Sequence, residues 1–197
     1  MKHAQLANGL LQLGCIQFGE FTLKSGKRSP IYLDLRRLVS DPAVLAQAAQ
    51  AYVQLLKPLD FDRIAGLPYA ALPIATAISL QGGWPMIYPR KEKKDYGTKS
   101  AVEGLYQAGE TIAVVDDLIS TGESKFEGIE KLEAAGLNVH DVVVLVDRQM
   151  GADDVLAANG LKLHAIFKLR DLLDYWNDTQ AISGDDYQSA TDYLMQD

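Results

Sequence analysis

The sequence predicts an α/β fold in which a mostly parallel central sheet is flanked by helices. Strand-like and helix-like segments alternate between residues 63 and 169, which is the order expected of βα units. The strand-like runs, such as Ile-Ala-Val-Val at 112–115 and Val-Val-Val-Leu-Val at 142–146, contain no alternating polar residues. Runs of this kind are typical of parallel strands that are buried on both faces.

Before this alternation begins, the chain is predicted to form a helix, two short strands and a second helix. Leucines on one helical face indicate the first helix, and the turn-rich segment 25–30 separates the two strands. The second helix begins where Ser40 or Asp41 can cap it, with Pro42 in its first turn. In order, these elements are predicted over residues 2–13, 21–23, 31–35 and 43–56.

Glycines mark the ends of helices in the alternating part of the chain. Gly136 follows one predicted helix and Gly160 the next, as glycine does at many helix C-termini. Residues 90–110 are charged, contain glycine and are longer than most connections, so we expect them to be functional or mobile. The predicted strands are 63–67, 85–88, 111–115, 142–146 and 161–169, and the predicted helices are 70–81, 122–135 and 152–159.

Composition and charge exclude several classes of protein. The 197 residues are 48% apolar and 23% charged, as expected of one globular domain. The net charge is −7, but residues 171–197 hold seven acidic residues and no Lys or Arg, so the rest of the chain is formally neutral. This balance argues against nucleic-acid binding by bulk attraction to phosphates. Cys15 is the only cysteine, which excludes an intramolecular disulfide and a Cys-rich zinc site.

The sequence also predicts where the protein resides. The first residues lack the pattern of a signal peptide, and no run approaches the roughly 18 apolar residues of a membrane span. We therefore expect a soluble, cytoplasmic protein without a membrane or nucleic-acid partner.

The strongest chemical pattern lies where a predicted strand ends. Asp116 and Asp117 follow the apolar run 112–115, and a Ser-Thr-Gly turn at 120–122 then leads into a helix. Backbone N–H groups at such a helix start can bind a phosphate. Paired carboxylates suit ribose hydroxyls or a hydrated Mg²⁺. We expect both carboxylates to reach solvent, so that changing both to Asn leaves thermal stability nearly unchanged.

A simpler interpretation is that Asp117 and Ser120 only cap a helix or form a turn. Other phosphate-site and nucleophile motifs are absent, because the chain has no G-x-x-x-x-G-K-[ST], G-x-G-x-x-G or G-x-S-x-G sequence. A response-regulator receiver would place its acidic pair on the first strand, whereas this pair lies past the middle of the chain.

Five segments in register resemble one family over nearly the whole chain: residues 18–36, 66–73, 90–99, 114–124 and 145–148. Together they are similar to the orotate phosphoribosyltransferases, which are type I phosphoribosyltransferases. The resemblance implies the type I phosphoribosyltransferase fold, with an N-terminal hood (1–40), an α/β core (41–170) and an acidic C-terminal helical segment (171–197) in one domain. It also implies pyrimidine synthesis: orotate and 5-phosphoribosyl 1-pyrophosphate (PRPP) give orotidine 5′-monophosphate and pyrophosphate, with Mg²⁺.

The resemblance assigns roles to individual residues. Lys94, Asp116 and Asp117 are the implied catalytic residues, and Lys94 acts in the neighbouring subunit of a homodimer with shared active sites. The magnesium ion is held through PRPP and water, with Asp116 and Asp117 as candidate ligands. Orotate is bound by Lys24, Tyr32, Leu33, Ser120 and Arg148. PRPP is bound by Lys24, Tyr69, Ala70, Arg90, Lys91, Lys94, Tyr96, Asp116, Asp117, Leu118, Ile119, Ser120, Thr121, Gly122, Glu123 and Ser124.

Three of these positions depart from the usual family pattern. Tyr96 stands where many bacterial members have His, and the sequence around it resembles the transferase half of bifunctional UMP synthase. Ala70 stands where some members have Lys, which removes one cation for pyrophosphate. Glu123 lies in the predicted phosphate-binding turn at residues 120–124, the phosphate cradle. A carboxylate there would repel phosphate, so we expect its side chain to point to solvent.

Alternatives remain for function and for single residues. A purine phosphoribosyltransferase would keep residues 116–124 but use a different base pocket, and a PRPP-sensing regulator would keep the site without turnover. The Lys24 hairpin could be purely structural. Arg148 could form a salt bridge with Asp147 or Asp141 instead of binding a substrate carboxylate.

Overall fold

The computed structural model describes residues 1–22, 26–92 and 101–195. The described part contains eight strands, seven α-helices and one 3₁₀ helix over Leu35–Ser40. The strands are β1 (Ile16–Thr22), β2 (Arg28–Leu33), β3 (Arg63–Gly66), β4 (Met86–Pro89), β5 (Val102–Glu103), β6 (Thr111–Ile119), β7 (Asn138–Asp147) and β8 (Lys162–Lys168). The helices are α1 (Ala4–Gln12), α2 (Pro42–Leu56), α3 (Ala71–Gly82), α4 (Glu123–Ala134), α5 (Ala152–Ala158), α6 (Leu169–Asp178) and α7 (Gly184–Leu194).

The central sheet has the strand order β5-β4-β3-β6-β7-β8 in the described part of the chain. All neighbouring strands are parallel except β4 and β5, which pair antiparallel. The predicted α/β class with a mostly parallel sheet is therefore confirmed. Strand β5 is an addition to the predicted set, because its two residues lie in the charged connection and form no apolar run.

The sheet is buried on both faces, as the apolar runs predict. Ile112 and Val114 of β6 lie in one apolar cluster with residues of α4 and α5. Ala113 and Val115 lie in a second cluster with residues of α1, α2, α3 and α6. Successive residues of one strand thus serve the two cores in turn, as the geometry of a strand requires.

The two strands predicted near the N-terminus form a separate antiparallel hairpin, β1–β2, but their bounds differ from the prediction. Strand β1 begins at Ile16 because that residue pairs with Leu33. A register shift between Phe18 and Phe21 disrupts the alternation of side chains by which a strand is recognised in a sequence. Strand β2 ends at Leu33, since Leu35 is already in the 3₁₀ helix. Helix α7 packs against this hairpin.

The Arg63–Glu110 ion pair connects β3 to the residue before β6. Arg63 contacts both carboxylate oxygens of Glu110, with Nε–Oε2 and Nη2–Oε1 distances of 2.6 and 2.7 Å. Hydrogen bonding to Arg63 lowers the pKa of Glu110 from 4.5 to about 2. A carboxylate whose pKa is lower in the folded chain stabilises the fold above its ordinary pKa and loses that contribution as the pH falls.

Arg63→Met is therefore expected to lower the melting temperature at pH 7. The difference from wild type should shrink as the pH is lowered from about 4.5 towards 2, where Glu110 becomes protonated in both proteins. Thermal unfolding followed by circular dichroism across this range measures the effect. A difference that does not change between pH 6 and pH 3 would show that the ion pair does not stabilise the fold through charge.

No helix in residues 1–22, 26–92 and 101–195 combines the length and apolar character needed to cross a membrane.

Candidate active site

Asp116 and Asp117 lie inside strand β6, and not beyond its end as expected. The strand continues to Ile119, because β7 pairs with it as far as the Ile119–Asp147 register. Asp116 is only 7% exposed and Asp117 is half-buried. The expectation that both carboxylates reach solvent is therefore wrong, and so is the reason given for a thermally neutral double substitution.

Asp116 is fixed by contacts on three sides. Lys125, in the first turn of α4, forms an ion pair through Nζ with the Oδ2 atom of Asp116. The other carboxylate oxygen, Oδ1, accepts a hydrogen bond from the backbone N–H of Asp117 at 2.9 Å. The hydroxyl of the fully buried Tyr52 donates to the backbone carbonyl of Asp116 at 2.6 Å. Sequence reasoning missed both Lys125 and Tyr52, although Lys125 follows directly after the cradle residues.

Asp117 is in a different environment from its neighbour. Its Oδ1 atom accepts a hydrogen bond from the N–H of Leu118 at 2.9 Å. Burial, together with the charge and hydrogen bonding of Asp116, raises the pKa of Asp117 to about 7, while Lys125 acts in the opposite direction. A carboxylate that has lost much of its water gains strongly from a hydroxyl donor, since no hydration is left to compete.

A cavity of about 420 Å³ lies above this acidic pair. It brings together seven of the residues predicted to bind PRPP, from three separate segments of the chain. Its described lining residues are Leu67, Pro68, Tyr69, Ala70, Pro89, Arg90, Lys91, Asp116, Asp117, Ser124, Lys125, Glu127, Gly128 and Lys131.

The basic side of the cavity is held in place by α4 and β5. Arg90 pairs with Glu103 at 2.9 Å, and its N–H donates to the carbonyl of Ala101 at 2.8 Å. Lys131 Nζ donates to the carbonyls of Arg90 and Lys91 at 2.9 and 3.3 Å. The backbone that carries these two cations is thus tied to the sheet edge and to helix α4.

Tyr69 interacts with both charged residues that follow Arg90. Lys91 Nζ lies 5.1 Å from the centre of the Tyr69 ring, and the Tyr69 hydroxyl hydrogen-bonds to Glu92. Tyr69 is 56% exposed, so its ring stands at the open side of the cavity. Lys24, Lys94 and Tyr96, which the resemblance also places at this site, lie outside the described residues.

The predicted phosphate cradle is a strand-to-helix turn, as expected. Gly122 is the N-cap of α4 with φ +87°, a conformation that favours glycine, and no side chain caps the helix. Neither Asp117 nor Ser120 acts as its cap, so the helix-capping interpretation of those residues is wrong, while Ser120 does lie in the turn. Glu123 is exposed, as predicted, and Ser124 lines the cavity. The N–H of Lys125 donates to the carbonyl of Gly122 at 3.0 Å, whereas the N–H groups of Glu123 and Ser124 have no partner within the helix by position.

The remaining cradle residues contribute differently. The Ile119 side chain is fully buried in the apolar cluster with α4 and α5, and Leu118 is partly buried against the other apolar cluster, so a ligand can meet mainly their backbone atoms. Ser120 is half-buried and Thr121 is exposed.

Arg148 immediately follows β7 beside the end of β6. Its backbone N–H donates to the carbonyl of Ile119 at 2.9 Å, which places it next to the cradle. Its Nε atom is buried and has no hydrogen-bond partner among the described residues. Asp147 instead accepts from the N–H of Gln149, and Asp141 pairs with His164 at 2.7 Å. The alternative of a salt bridge to either aspartate is thus excluded.

Tyr32 and Leu33 lie on strand β2. The Tyr32 ring stacks on Phe21 with a centroid distance of 5.4 Å, and its hydroxyl accepts from Arg36 at 3.3 Å. Leu33 packs against the larger apolar core. Neither residue lines the cavity that holds the acidic pair, and neither do Ser120 and Arg148. These four candidate orotate residues therefore stand apart from the cavity, and Lys24, the fifth, lies outside the described residues.

The carboxylates present fit a cation that is held mainly by other oxygens. The described ranges contain no group of three or more His, Cys, Asp or Glu side chains that could hold a metal ion. Among the described residues, the Asp116 side chain interacts with Lys125 and with the N–H of Asp117, and the Asp117 side chain interacts with the N–H of Leu118 and with Asp116. Each carboxylate oxygen has more than one lone pair, so both side chains can still accept hydrogen bonds from the water of a hydrated Mg²⁺.

Comparisons with known proteins now identify the family. A scan against protein-family models finds no match. The chain is 44% identical over 167 residues to an orotate phosphoribosyltransferase of Caenorhabditis elegans, covering 84% of this chain and 74% of that protein. It is 42% identical over 182 residues to the bifunctional enzyme PyrF/PyrE of a Nostoc species, covering 92% of this chain. The chain spans only 38% of the length of that bifunctional relative.

Solved structures give the same result. The structure of Leishmania donovani UMP synthase matches with a TM-score of 0.92 and 48% identity, covering all of this chain and 43% of that one. The orotate phosphoribosyltransferase of Mycobacterium tuberculosis, solved in complex with PRPP, matches with a TM-score of 0.72 and 28% identity, covering 86% of this chain and 98% of that one. These likenesses confirm the predicted type I phosphoribosyltransferase fold. The chain belongs to the orotate phosphoribosyltransferase family.

Proposed function

We propose that this protein transfers the phosphoribosyl group of PRPP to orotate, giving orotidine 5′-monophosphate and pyrophosphate in pyrimidine synthesis. The observation that carries the proposal is the cavity at the end of β6, where Asp117, the cradle residue Ser124 and the cations Arg90 and Lys91 converge. A relative of this chain has been solved with PRPP bound. The site offers acidic, cationic and backbone N–H groups for the three parts of that molecule.

Each part of PRPP has a matching set of groups. The ribose hydroxyls donate to the acidic residues at the floor of the cavity, and the 5′-phosphate binds the N–H groups of the turn 120–124. Arg90 and Lys91, with Tyr69 beside them, face the pyrophosphate, which gains charge as the bond to the ribose breaks. The resemblance adds Lys94 as the cation that completes this stabilisation. The described site contains no activated nucleophile, so a direct displacement at the anomeric carbon fits it.

Magnesium is the cofactor of this proposal. When bound, Mg²⁺ neutralises oxygens of the pyrophosphate and so favours its departure. Asp117 is the more exposed of the two carboxylates in the cavity, and so the one that such an ion or its water would meet first. Asp116 keeps its own contacts with Lys125 and with the backbone.

Orotate is bound mainly by side chains of the β1–β2 hairpin and by Arg148, which follows β7. Arg148 suits the orotate carboxylate because a guanidinium group matches a planar carboxylate with two parallel hydrogen bonds. Tyr32 and Leu33 offer flat and apolar surfaces for the pyrimidine ring, and Ser120 and Lys24 are polar contacts carried over from the resemblance. The Nε atom of Arg148 supports this role, since it has no hydrogen-bond partner in the part of the chain that the structure describes.

Arg148→Ala is expected to weaken the binding of orotate much more than the binding of PRPP. Loss of one partner of a charged, hydrogen-bonded pair costs roughly 2–5 kcal/mol, so the KM for orotate should rise strongly. The KM for PRPP should stay within about threefold of wild type, because Arg148 does not line the PRPP cavity. Steady-state kinetics with each substrate varied in turn measures both values. An equal rise for both substrates would show that Arg148 is structural.

The proposal includes a cytoplasmic homodimer with shared active sites, in which Lys94 of one subunit acts at the cavity of the other. Its support is the family resemblance of residues 90–99, which carry five basic and two acidic residues.

A competition experiment tests the choice of base. The protein is incubated with PRPP, Mg²⁺ and equal concentrations of orotate, adenine, hypoxanthine and guanine, and the nucleotides formed are separated by chromatography. We expect orotidine 5′-monophosphate as the main product. A purine nucleotide as the main product would favour the purine phosphoribosyltransferase alternative, and PRPP binding without any product would favour the sensor.

A further inference from the structure

Lys131 of helix α4 has contacts that its place in the sequence does not suggest. It lies outside the five segments that carry the family resemblance, in the last turn of a helix rich in charged residues. A lysine at such a position is normally solvated. Here its side chain is only 24% exposed, and it lines the cavity that holds the acidic pair.

The ammonium group of Lys131 has three N–H donors, and three acceptors surround it. Its Nζ atom donates to the carbonyls of Arg90 and Lys91 at 2.9 and 3.3 Å, and to Oε1 of Glu127 at 2.8 Å. Glu127 belongs to the same helix, whereas the two carbonyls belong to the chain segment that follows β4. Two of the three contacts therefore tie helix α4 to the backbone of another part of the chain.

That backbone carries the two described cations of the basic side of the cavity. On the side of the sheet it is held by Arg90, whose N–H donates to Ala101 and whose guanidinium group pairs with Glu103. Lys131 holds it from the side of the helix. Glu127 offsets the repulsion among these cations, since hydrogen bonding to Lys131 and the charges of Lys131 and Lys91 lower its pKa.

We propose that Lys131 is a positioning residue for pyrophosphate, which holds the backbone of Arg90 and Lys91 at the cavity before the substrate binds. The inference rests on the proposed function, because it assigns a role within that same site. Two cations on a segment that is ordered in advance lose less conformational entropy when an anion binds them. The three donors of Lys131 are used within the described residues, so its effect on pyrophosphate passes through Arg90 and Lys91.

The substitution Lys131→Met tests this role directly. Met suits a helix and keeps the apolar stem of the side chain, but it removes all three donors. We expect the Kd for pyrophosphate, measured by calorimetry with Mg²⁺, to rise about tenfold, as at metal sites when a supporting contact behind a ligand is lost. The Kd for orotidine 5′-monophosphate, which has no pyrophosphate group, should stay within about twofold. A general disturbance of the fold would weaken the binding of both.

A second set of variants separates positioning from direct binding. In a background of Arg90→Ala with Lys91→Ala, the side chains through which Lys131 acts are gone. Adding Lys131→Met to this background should change the Kd for PRPP by less than about twofold, whereas a direct contact with the ligand would cost about tenfold again. Titration followed by ³¹P NMR measures binding in this weaker range.

Two controls isolate the contacts with the carbonyls. Glu127→Gln removes the ion pair within α4 but leaves both carbonyl contacts, so the Kd for pyrophosphate should be equal to that of wild type or lower. Lys57→Met is the matched control, because Lys57 is an exposed lysine at the end of α2 that does not line the cavity. It should leave the Kd for both ligands unchanged.

Four results would overturn the inference. They are an unchanged Kd for pyrophosphate in Lys131→Met, an equal loss for orotidine 5′-monophosphate, a full further loss in the double-alanine background, and the same loss in Glu127→Gln. These binding measurements need no turnover. Wild type that binds PRPP but converts no orotate would refute the proposed function alone, and wild type that binds neither PRPP nor pyrophosphate would refute both.

Discussion

Asp117→Asn is expected to keep the fold and lose about 10²–10³-fold in kcat/KM for PRPP, the size of effect seen when one preorganised polar contact to a reacting group is removed. The half-buried Asp117 carboxylate lines the cavity and can accept a hydrogen bond from a ribose hydroxyl, whereas Asn offers a weaker, neutral acceptor. Steady-state kinetics with PRPP varied at saturating orotate measures the loss.

The same variant should not be less stable than wild type. Burial and Asp116 raise the pKa of Asp117 from 3.8 to about 7. A carboxyl group whose pKa is raised in the folded chain destabilises the fold increasingly as the pH rises from 3.8 to about 7, because only the unfolded chain is then fully ionised, and the penalty stays constant above that range. At pH 8 the neutral Asn removes this penalty, so the melting temperature should be equal or higher.

Asp60→Asn is the control, since Asp60 is an exposed acid before β3. It should change neither activity nor stability. Full activity in Asp117→Asn, or collapse of its fold, would contradict the role given to Asp117.

Mixing two inactive variants is expected to restore activity. Lys94→Ala changes the basic segment, residues 90–99, and Asp117→Asn changes the floor of the cavity. If Lys94 acts in the neighbouring subunit, a mixed dimer contains one wholly wild-type site, formed by the basic segment of one variant and the cavity of the other. After random exchange half the dimers are mixed, so activity should recover to about a quarter of wild type.

The physical reason is that a cation such as Lys94 is needed only when pyrophosphate departs, so a neighbouring subunit can supply it at that stage. Native mass spectrometry of differently tagged subunits shows whether exchange has occurred. If mixed dimers form and remain inactive, Lys94 acts within its own subunit and the sites are not shared.

The sheet could be predicted because each buried strand leaves a strong local signal. The run Val142–Val146 is apolar at every position, and the glycines at 136 and 160 mark where helices end. The family resemblance then placed the candidate residues in order along the chain. The structure brings Tyr69, Arg90 and the residues after Val115 around one cavity.

The burial of Asp116 could not be predicted in the same way. Where β6 ends depends on how far β7 pairs with it, and that pairing joins residues about 28 positions apart. Lys125 gives no sign of burial in the sequence, since a lysine in a polar helix is normally solvated. Only the docking of α4 against the sheet brings it to Asp116. Strand β5 was missed because its pairing with β4, and not its composition, defines it.

The most direct test of the proposed activity is a progress curve of orotate consumption. Wild-type protein is mixed with orotate, PRPP and Mg²⁺, while the ultraviolet absorbance of orotate and the released pyrophosphate are followed together. The proposal predicts that orotate disappears only when PRPP is present, with one pyrophosphate released for each orotate consumed. Unchanged orotate absorbance in a protein shown by calorimetry to bind PRPP would contradict it.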